Sequence, residues 1–544
     1  MEKRHHTAVN SLLVLTLAIL GAAIVILCLV PPISRDALIH HLAIPKLYIQ
    51  HGSIFEIPDL SFSYYPMNLD LLYMIPLYFK NDILPKYIHF AFALLTTRLI
   101  YGYLKNKLSR TYGLLGSLFF LSIPIIIKLS ITVYVDLGLV FFSTASLLLL
   151  FRWTEEEHSS RYLITAAICC GLATGIKYNS LISFFLLTTS TPLLYIRCRD
   201  KNANNLTALK YGIYFIGIAL LIASPWFIRN YLWTGNPLFP LYQNIFNPEI
   251  VHSGQGMGIF SVRKVFFHES LLQILLLPFR IFFEGSDNNP QYFDGKLNPF
   301  LLLLPLFAFF SKLQQQKTKI QIVALAIFSI LFLFIATFQS SMRIRYIAPI
   351  IPPLVILSMF GLHNIVTFFH KYKDNHAGSA VNVIISLIFT AMLLYNINYL
   401  IGQFHYVQPF QYIFGKVNRD TYITRYRPEY PVIQFANHHV DKKAKVLCLF
   451  LGKRGYYMDF SHKFYVPSNK NSTFSQLVTG VSSPAAIQQI LHKSGYRYIL
   501  LRDNLTNSWL DSLQQQKEIA VFFFQHHLSL IYSAGGYSLF QIKH

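Results

Sequence analysis

Apolar residues run in long uninterrupted blocks over most of the chain, and give way to short alternating blocks after about residue 402. The first block, 11–30, carries no charge over 20 residues. As a helix it reaches roughly 30 Å, the thickness of one hydrocarbon core. No small-residue cleavage pattern follows it, so it reads as a retained span and not a removed signal peptide. Ten further blocks predict spans at 84–104, 112–128, 136–153, 162–177, 179–196, 209–227, 298–311, 320–338, 346–369 and 380–401, about eleven in all. Two weaker stretches, 66–79 with Asp70 and Pro76 and 270–283 with Pro278 and Arg280, read as helices lying on or dipping into the outer face.

The tail has another rhythm. Residues 445–451 (KVLCLFL) predict a buried strand, Ser483-Pro484 opens a helix through Lys493, and Gly495 stops it. Residues 496–501 predict a second strand and a helix is expected near 508–524. A hairpin of 528–532 and 537–542 turns at Gly535-Gly536. The expected architecture is a polytopic α-helical membrane protein with a small C-terminal α/β domain. The expected domains are 1–401, with outer loops at 31–85 and 228–297, and 402–544.

Composition agrees. Of 544 residues 53% are hydrophobic and 13% charged, where soluble domains carry about 25% charge. The excess of 46 Lys+Arg over 24 Asp+Glu gives +22. These basic residues are scattered and form no nucleic-acid-binding motif, so they read as loop anchors. Five cysteines form neither a disulfide framework nor a CxxC pattern.

Orientation follows from the loops. With the N-terminus inside, the inside loops carry Lys105, Lys107 and Arg110; Arg152 and Arg161; Arg197, Arg199, Lys201 and Lys210; Lys312, Lys317 and Lys319; Lys371 and Lys373. Each is short and carries two or more Lys or Arg. The loops 31–85 and 228–297 and everything after about Gly402 then lie outside.

Charges kept at the outer ends of spans carry the chemical information, because charge at membrane depth is costly. Asp36 is the first acid after the first span. It suits a helix N-cap and equally a general base for a lipid-borne substrate. Its neighbours His40 and His41 point about 100° apart on a helix and make no metal pair. Asp136 lies 16 residues before Arg152, roughly 24 Å along a helix, so it sits near the outer surface with Lys128 as an expected local partner. Lys177 lies between two close spans, beside a Gly171/Gly175 spacing that lets helices approach. Arg229, Arg343 and Arg345 fall outside, against the usual bias; their planar forks suit phosphate, and headgroup contact is the plainer alternative. The run Gly254–Gly258 lacks the strand and the GK[ST] of a phosphate loop and reads as a flexible loop. There is no D-x-D pair, no G-x-S-x-G elbow and no HExxH.

Taken in order, four segments resemble the GT-C superfamily of membrane glycosyltransferases, closest to bacterial relatives of the protein O-mannosyltransferases and the lipid A aminoarabinose transferases. They are DALIHHLAIPKLYIQHG with YYPMNLDLLY, then VYVDLGLVFF, then GLATGIKYNSL, then SPWFIRNYLWTGNPLFP paired with RIRYIAPIIPP. In the tail, GKRGYY and GYRYILLRDN add a weaker likeness. The resemblance implies a sugar donor on a polyprenyl phosphate, an acceptor hydroxyl on lipid, glycan or protein, and inverting transfer at the outer face of a bacterial inner membrane. It implies that Asp36 and Asp136 are the catalytic acids, and that Lys177, Arg229, Arg343 and Arg345 bind the donor phosphate. Many relatives carry an Asp-Glu pair in the first loop. Here Asp36 is followed by Ala37, which leaves a requirement for a divalent metal open. A transporter or flippase of lipid-linked glycans is the competing class. Against it stand the lack of an internal repeat and of charge at mid-membrane.

Overall fold

The computed structural model describes residues 2–198, 204–248, 258–310, 315–339, 342–371, 375–441, 443–465, 481, 483–513 and 517–543. Positions 254–257 of the glycine-rich run and the loop residues Arg199, Lys201, Lys312 and Lys373 lie outside the described residues. The chain forms two compact units. The first comprises Met1–Leu29, Tyr64–Tyr73 and Leu84–Pro409; the second comprises Val30–Ser63, Met74–Ile83 and Phe410–His544.

The first unit is helical. Among the described residues, seven helices are long and apolar enough to cross a membrane: Thr7–Cys28, Asp136–Glu155, Ser180–Cys198, Asn205–Thr234, Gln316–Thr337, Ile344–Phe368 and Ser386–Val407. An eighth is broken. Arg110–Ser122 and Pro124–Ser130 meet at a 66° bend, because Pro124 has no N–H to continue the first helix and suits the first turn of the next. Three further expected spans correspond to helices that fall short in length or apolarity: Leu84–Lys107, Ser160–Thr174 and Phe300–Phe309. Asp136–Glu155 is the central helix, with Leu137, Leu147, Leu150, Phe151 and Trp153 all buried. By contrast Thr7–Cys28 exposes Leu12, Leu15 and Ile19, as a lipid-facing helix does.

Small residues set the spacing around it. A Cβ on Gly171 would lie 2.6 Å from the Ala219 carbonyl oxygen and 2.7 Å from Ile222, so helices Ser160–Thr174 and Asn205–Thr234 approach backbone to backbone there. The space at Gly175 is taken by Asn68. This is the close approach expected of the Gly171/Gly175 spacing.

The second unit holds a five-stranded sheet: β1 (Lys445–Leu449), β2 (His462–Tyr465), β3 (Tyr496–Arg502), β4 (Leu528–Ala534) and β5 (Tyr537–Ile542), in the order β2-β1-β3-β5-β4. β1 runs parallel to β2 and β3, and β5 antiparallel to β3 and β4. Alternation along β1 separates two cores. Leu447 and Leu449 face Ile487 and Leu491 of helix Pro484–Lys493 and Phe523 of helix Lys517–His526. Val446 and Cys448 face Val432, Ile433 and Ala436 of helix Tyr430–His439. Cys448 is thus a core residue. Ser483 caps its helix by accepting from the Ala486 N–H, and Gly495 follows with φ +83. Two helices, Asp503–Ser512 and Lys517–His526, occupy the stretch where one was expected, and β2 is an element the sequence pattern did not predict.

Candidate active site

In the first unit, Asp136 opens helix Asp136–Glu155 with its side chain 1% exposed. An acid in the first turn is favoured by the helix dipole. The next amide, Leu137 N–H, would be an orphan of the helix start. It donates to His89 Nε2 at 2.9 Å, while His89 Nδ1 meets the carbonyls of Leu129 at 2.8 Å and Thr132 at 3.0 Å. Those partners assign the proton to Nδ1. His89, fully buried, therefore stitches three stretches of chain around the Asp136 end of the helix.

Two of the expected phosphate ligands converge on this carboxylate. Lys177 Nζ donates to Asp136 Oδ1 at 2.7 Å. Arg345 Nη1 lies 4.0 Å from Asp136 Oδ2, and its guanidinium lies 4.8 Å from the Tyr134 ring centre and 5.4 Å from that of Tyr346. Lys177 Nζ lies 5.0 Å from the Tyr346 ring. Such faces attract cations and fix their orientation. The turn bearing Lys177 is held by Asn68, whose N–H donates to Gly175 O at 2.9 Å and whose side chain joins Leu172 O and the Trp226 indole.

Arg229 connects to the same turn at one remove. Tyr178, beside Lys177, accepts from Asn230 Nδ2 at 2.9 Å and donates to Phe239 O. Arg229 donates to Asn230 Oδ1 at 2.9 Å and to Tyr65 O at 3.2 Å, with Trp226 and Trp233 at 4.6 and 4.8 Å.

Arg343 goes elsewhere. Its Nη1 lies 3.6 Å from Asp294 Oδ2. Lys128, expected beside Asp136, instead bridges Asp287 at 3.0 Å and Asp294 at 2.9 Å. It sits in the helix after the Pro124 bend, and the loop 284–297 supplies two carboxylates where Asp136 already has Lys177. Tyr399 OH donates to the second Asp287 oxygen at 2.6 Å. Because Ile344 N–H also donates to Phe293 O at 2.8 Å, this loop grips the segment that carries both arginines.

Asp36 belongs to the second unit. It precedes a π-helical turn, Ala37–His41, closed by Leu42 N–H on Ala37 O at 2.9 Å, and its side chain makes no capping hydrogen bond. His41 is buried, and His40 stacks on Phe62 at 4.3 Å.

Sequence reasoning passed over His89 and Tyr346 as parts of this arrangement, and took Asp287 and Asp294 only as loop acids that could replace Asp36 as base. A histidine in PKYIHFAF was the available signal for the first. Among the described residues, no three His, Cys, Asp or Glu side chains gather as a metal-binding group.

Residues 81–228, which include Asp136 and Lys177, match the sequence model of the family described as dolichyl-phosphate-mannose-protein mannosyltransferase. No curated protein sequence matches the chain. Among solved structures, ArnT from Cupriavidus metallidurans superposes with a TM-score of 0.62 at 12% identity over 98% of both chains, in the apo state and bound to undecaprenyl phosphate alike. The archaeal oligosaccharyltransferase AglB from Archaeoglobus fulgidus, in complex with an inhibitory peptide and a dolichol-phosphate, gives a TM-score of 0.48 at 13% identity over 98% of this chain and 74% of that one. The chain has the fold of ArnT, and its resemblance to the GT-C glycosyltransferases stands.

Proposed function

We propose that the chain is an integral-membrane glycosyltransferase that moves a sugar from a polyprenyl-phosphate donor to an acceptor hydroxyl at the outer face of a bacterial inner membrane, with inversion. The observation that carries this reading is the convergence of Lys177 and Arg345 on Asp136. It lies partly inside the stretch that matches the mannosyltransferase family. ArnT, whose fold this chain shares, has been captured with undecaprenyl phosphate.

The roles divide by what each side chain faces. Asp136 is committed to Lys177 and faces Arg345, so it serves as a positioning residue that holds those cations ready for the departing phosphate. Arg229 and Arg343 extend the basic surface. Fixed cations stabilise charge as it develops on the leaving group. Asp36, which the sequence resemblance likens to the first-loop acid of the GT-C enzymes, is read as the base: it takes the proton of the acceptor hydroxyl as the oxygen attacks the anomeric carbon and the sugar–phosphate bond breaks.

Turnover of purified protein with a polyprenyl-phosphate sugar tests this. The Asp36→Asn variant is expected to bind donor normally and to lose about 10²–10⁴ in rate. Full activity in that variant removes Asp36 from the chemistry. Movement of lipid-linked sugar across vesicles with no transfer would make the protein a flippase instead.

A further inference from the structure

The segment that carries Asp36 is gripped from both sides by the C-terminal part of the second unit. Upstream, Tyr457 OH donates to Pro32 O at 2.7 Å and the Arg427 guanidinium donates to Ile33 O. Downstream, Tyr456 N–H donates to Leu38 O at 3.1 Å. Three backbone carbonyls, at four and three residues before Asp36 and two after it, are thereby tied to one loop and its neighbour. Further along, Lys46 Nζ donates to Tyr456 O at 2.8 Å, Met458 O at 3.0 Å and Asp459 Oδ1 at 2.6 Å, which uses all three ammonium protons. Lys453 Nζ reaches Asp59 O at 2.9 Å.

The gripping loop is itself fixed. It leaves the carboxyl end of β1 through Phe450, Gly452 and Lys453, all with φ between +61 and +66. Such left-handed residues persist where surrounding contacts over-determine them. A Cβ on Gly455 would lie 3.0 Å from His462 Nε2, so the loop lies flat on β2. Tyr457 O accepts from Asn437 Nδ2 at 2.9 Å, and Tyr456 OH and Arg419 both meet Asp82.

We propose that the 452–457 loop, GKRGYY, together with Arg427, positions Asp36: Tyr457 and Arg427 set the backbone that aims the carboxylate, and none of the loop touches substrate. This rests on the reading of Asp36 as the base. The π-helical turn beside Asp36 gives the grip something to hold, since such turns leave backbone groups out of the regular ladder and recur at functional sites.

The test is steady-state kinetics of the full chain with a polyprenyl-phosphate sugar. Tyr457→Phe removes one hydroxyl and little volume. Combined with Arg427→Gln it frees both upstream carbonyls. The double variant is expected to lose about tenfold or more in kcat through misplacement of a reacting group, with KM for the donor unchanged and the acidic limb of the pH profile moved. The single Tyr457→Phe, which threatens folding least, should show the same split more weakly. Lys517→Gln, which breaks only the exposed pair to Asp511, should leave kcat as it is. Normal kcat in the Tyr457→Phe/Arg427→Gln protein overturns the proposal. So does a loss of kcat that follows the loss of folded protein with an unmoved pH profile. If Asp36→Asn is fully active, the reading beneath it fails first; if Asp36→Asn is dead and the loop variants are normal, only the positioning role fails.

Discussion

Asp136 gives one oxygen to Lys177 at 2.7 Å and is itself 1% exposed. Removing the carboxylate leaves the ammonium without its partner in a place where solvent repays little. Asp136→Ala is therefore expected to destabilise the protein by about 3 kcal/mol, the low end for a broken buried pair because Lys177 keeps some exposure. Thermal unfolding in detergent measures it, and Asp136→Asn should cost less because it keeps the shape. The two arginines separate in the same way. Arg345 lies over two tyrosine rings beside Asp136, whereas Arg343 is more exposed and reaches Asp294. Arg345→Lys loses the planar fork and much of the ring contact, worth about 1–2 kcal/mol, so affinity for polyprenyl phosphate should fall roughly tenfold by calorimetry. Arg343→Lys should fall less; equal losses would mean that ring contact does not matter. The residues at span ends were legible because charge at membrane depth is rare and seldom idle. Their partners were not. Arg343 and Arg345 look alike in RIRYIAP, and only the loop behind them sends one to Asp294 and the other to Asp136.

At the scale of elements, the stretch 258–298 is braced by its own charges. Glu269 takes Arg263 at 2.5 Å and Arg280 at 3.1 Å, and Arg263 also donates to Gln291 O. Burial alone would raise the Glu269 carboxyl, but the two guanidiniums outweigh it and hold it below its ordinary 4.5. A depressed folded value means that stability is fully present above the unfolded value and is lost as pH falls through the folded one. Acid unfolding should therefore show a loss below about pH 4.5 that Glu269→Gln flattens. In the tail, Ser483→Ala removes the cap of helix Pro484–Lys493 and should cost about 1 kcal/mol. That cap was visible in the letters Ser-Pro, as were β3 and the β4–β5 hairpin, because turn residues bound alternating runs there. β2 was not: His462–Tyr465 is four residues long, half polar, and becomes a strand through its parallel pairing with β1. The bend at Pro124 was likewise hidden inside an apolar run whose length alone read as one span.

Over the whole molecule, helix Asp136–Glu155 is polar at both ends. Asp136 and Lys177 stand at one, while Lys107 pairs with Glu155 and Gln321 donates to Glu155 at the other. Its 20 residues span roughly 30 Å, which matches a bilayer lying between two polar bands. With the basic loops inside, reporter fusions at Lys105, Lys201, Lys317 and Lys373 should read cytoplasmic and one at His544 extracytoplasmic. A cytoplasmic reading at His544 would place the tail on the wrong face for the proposed chemistry. The stacking of Arg229 between indoles has a consequence for observation. The chain has four tryptophans, and two of them, Trp226 and Trp233, flank that guanidinium. Half of the tryptophans thus lie beside one cation, so a phosphate arriving there should change the colour or brightness of the unlabelled protein. If Arg229 meets the donor phosphate as proposed, titration with polyprenyl phosphate should change the tryptophan spectrum, and Arg229→Lys should silence that change without removing either fluorophore.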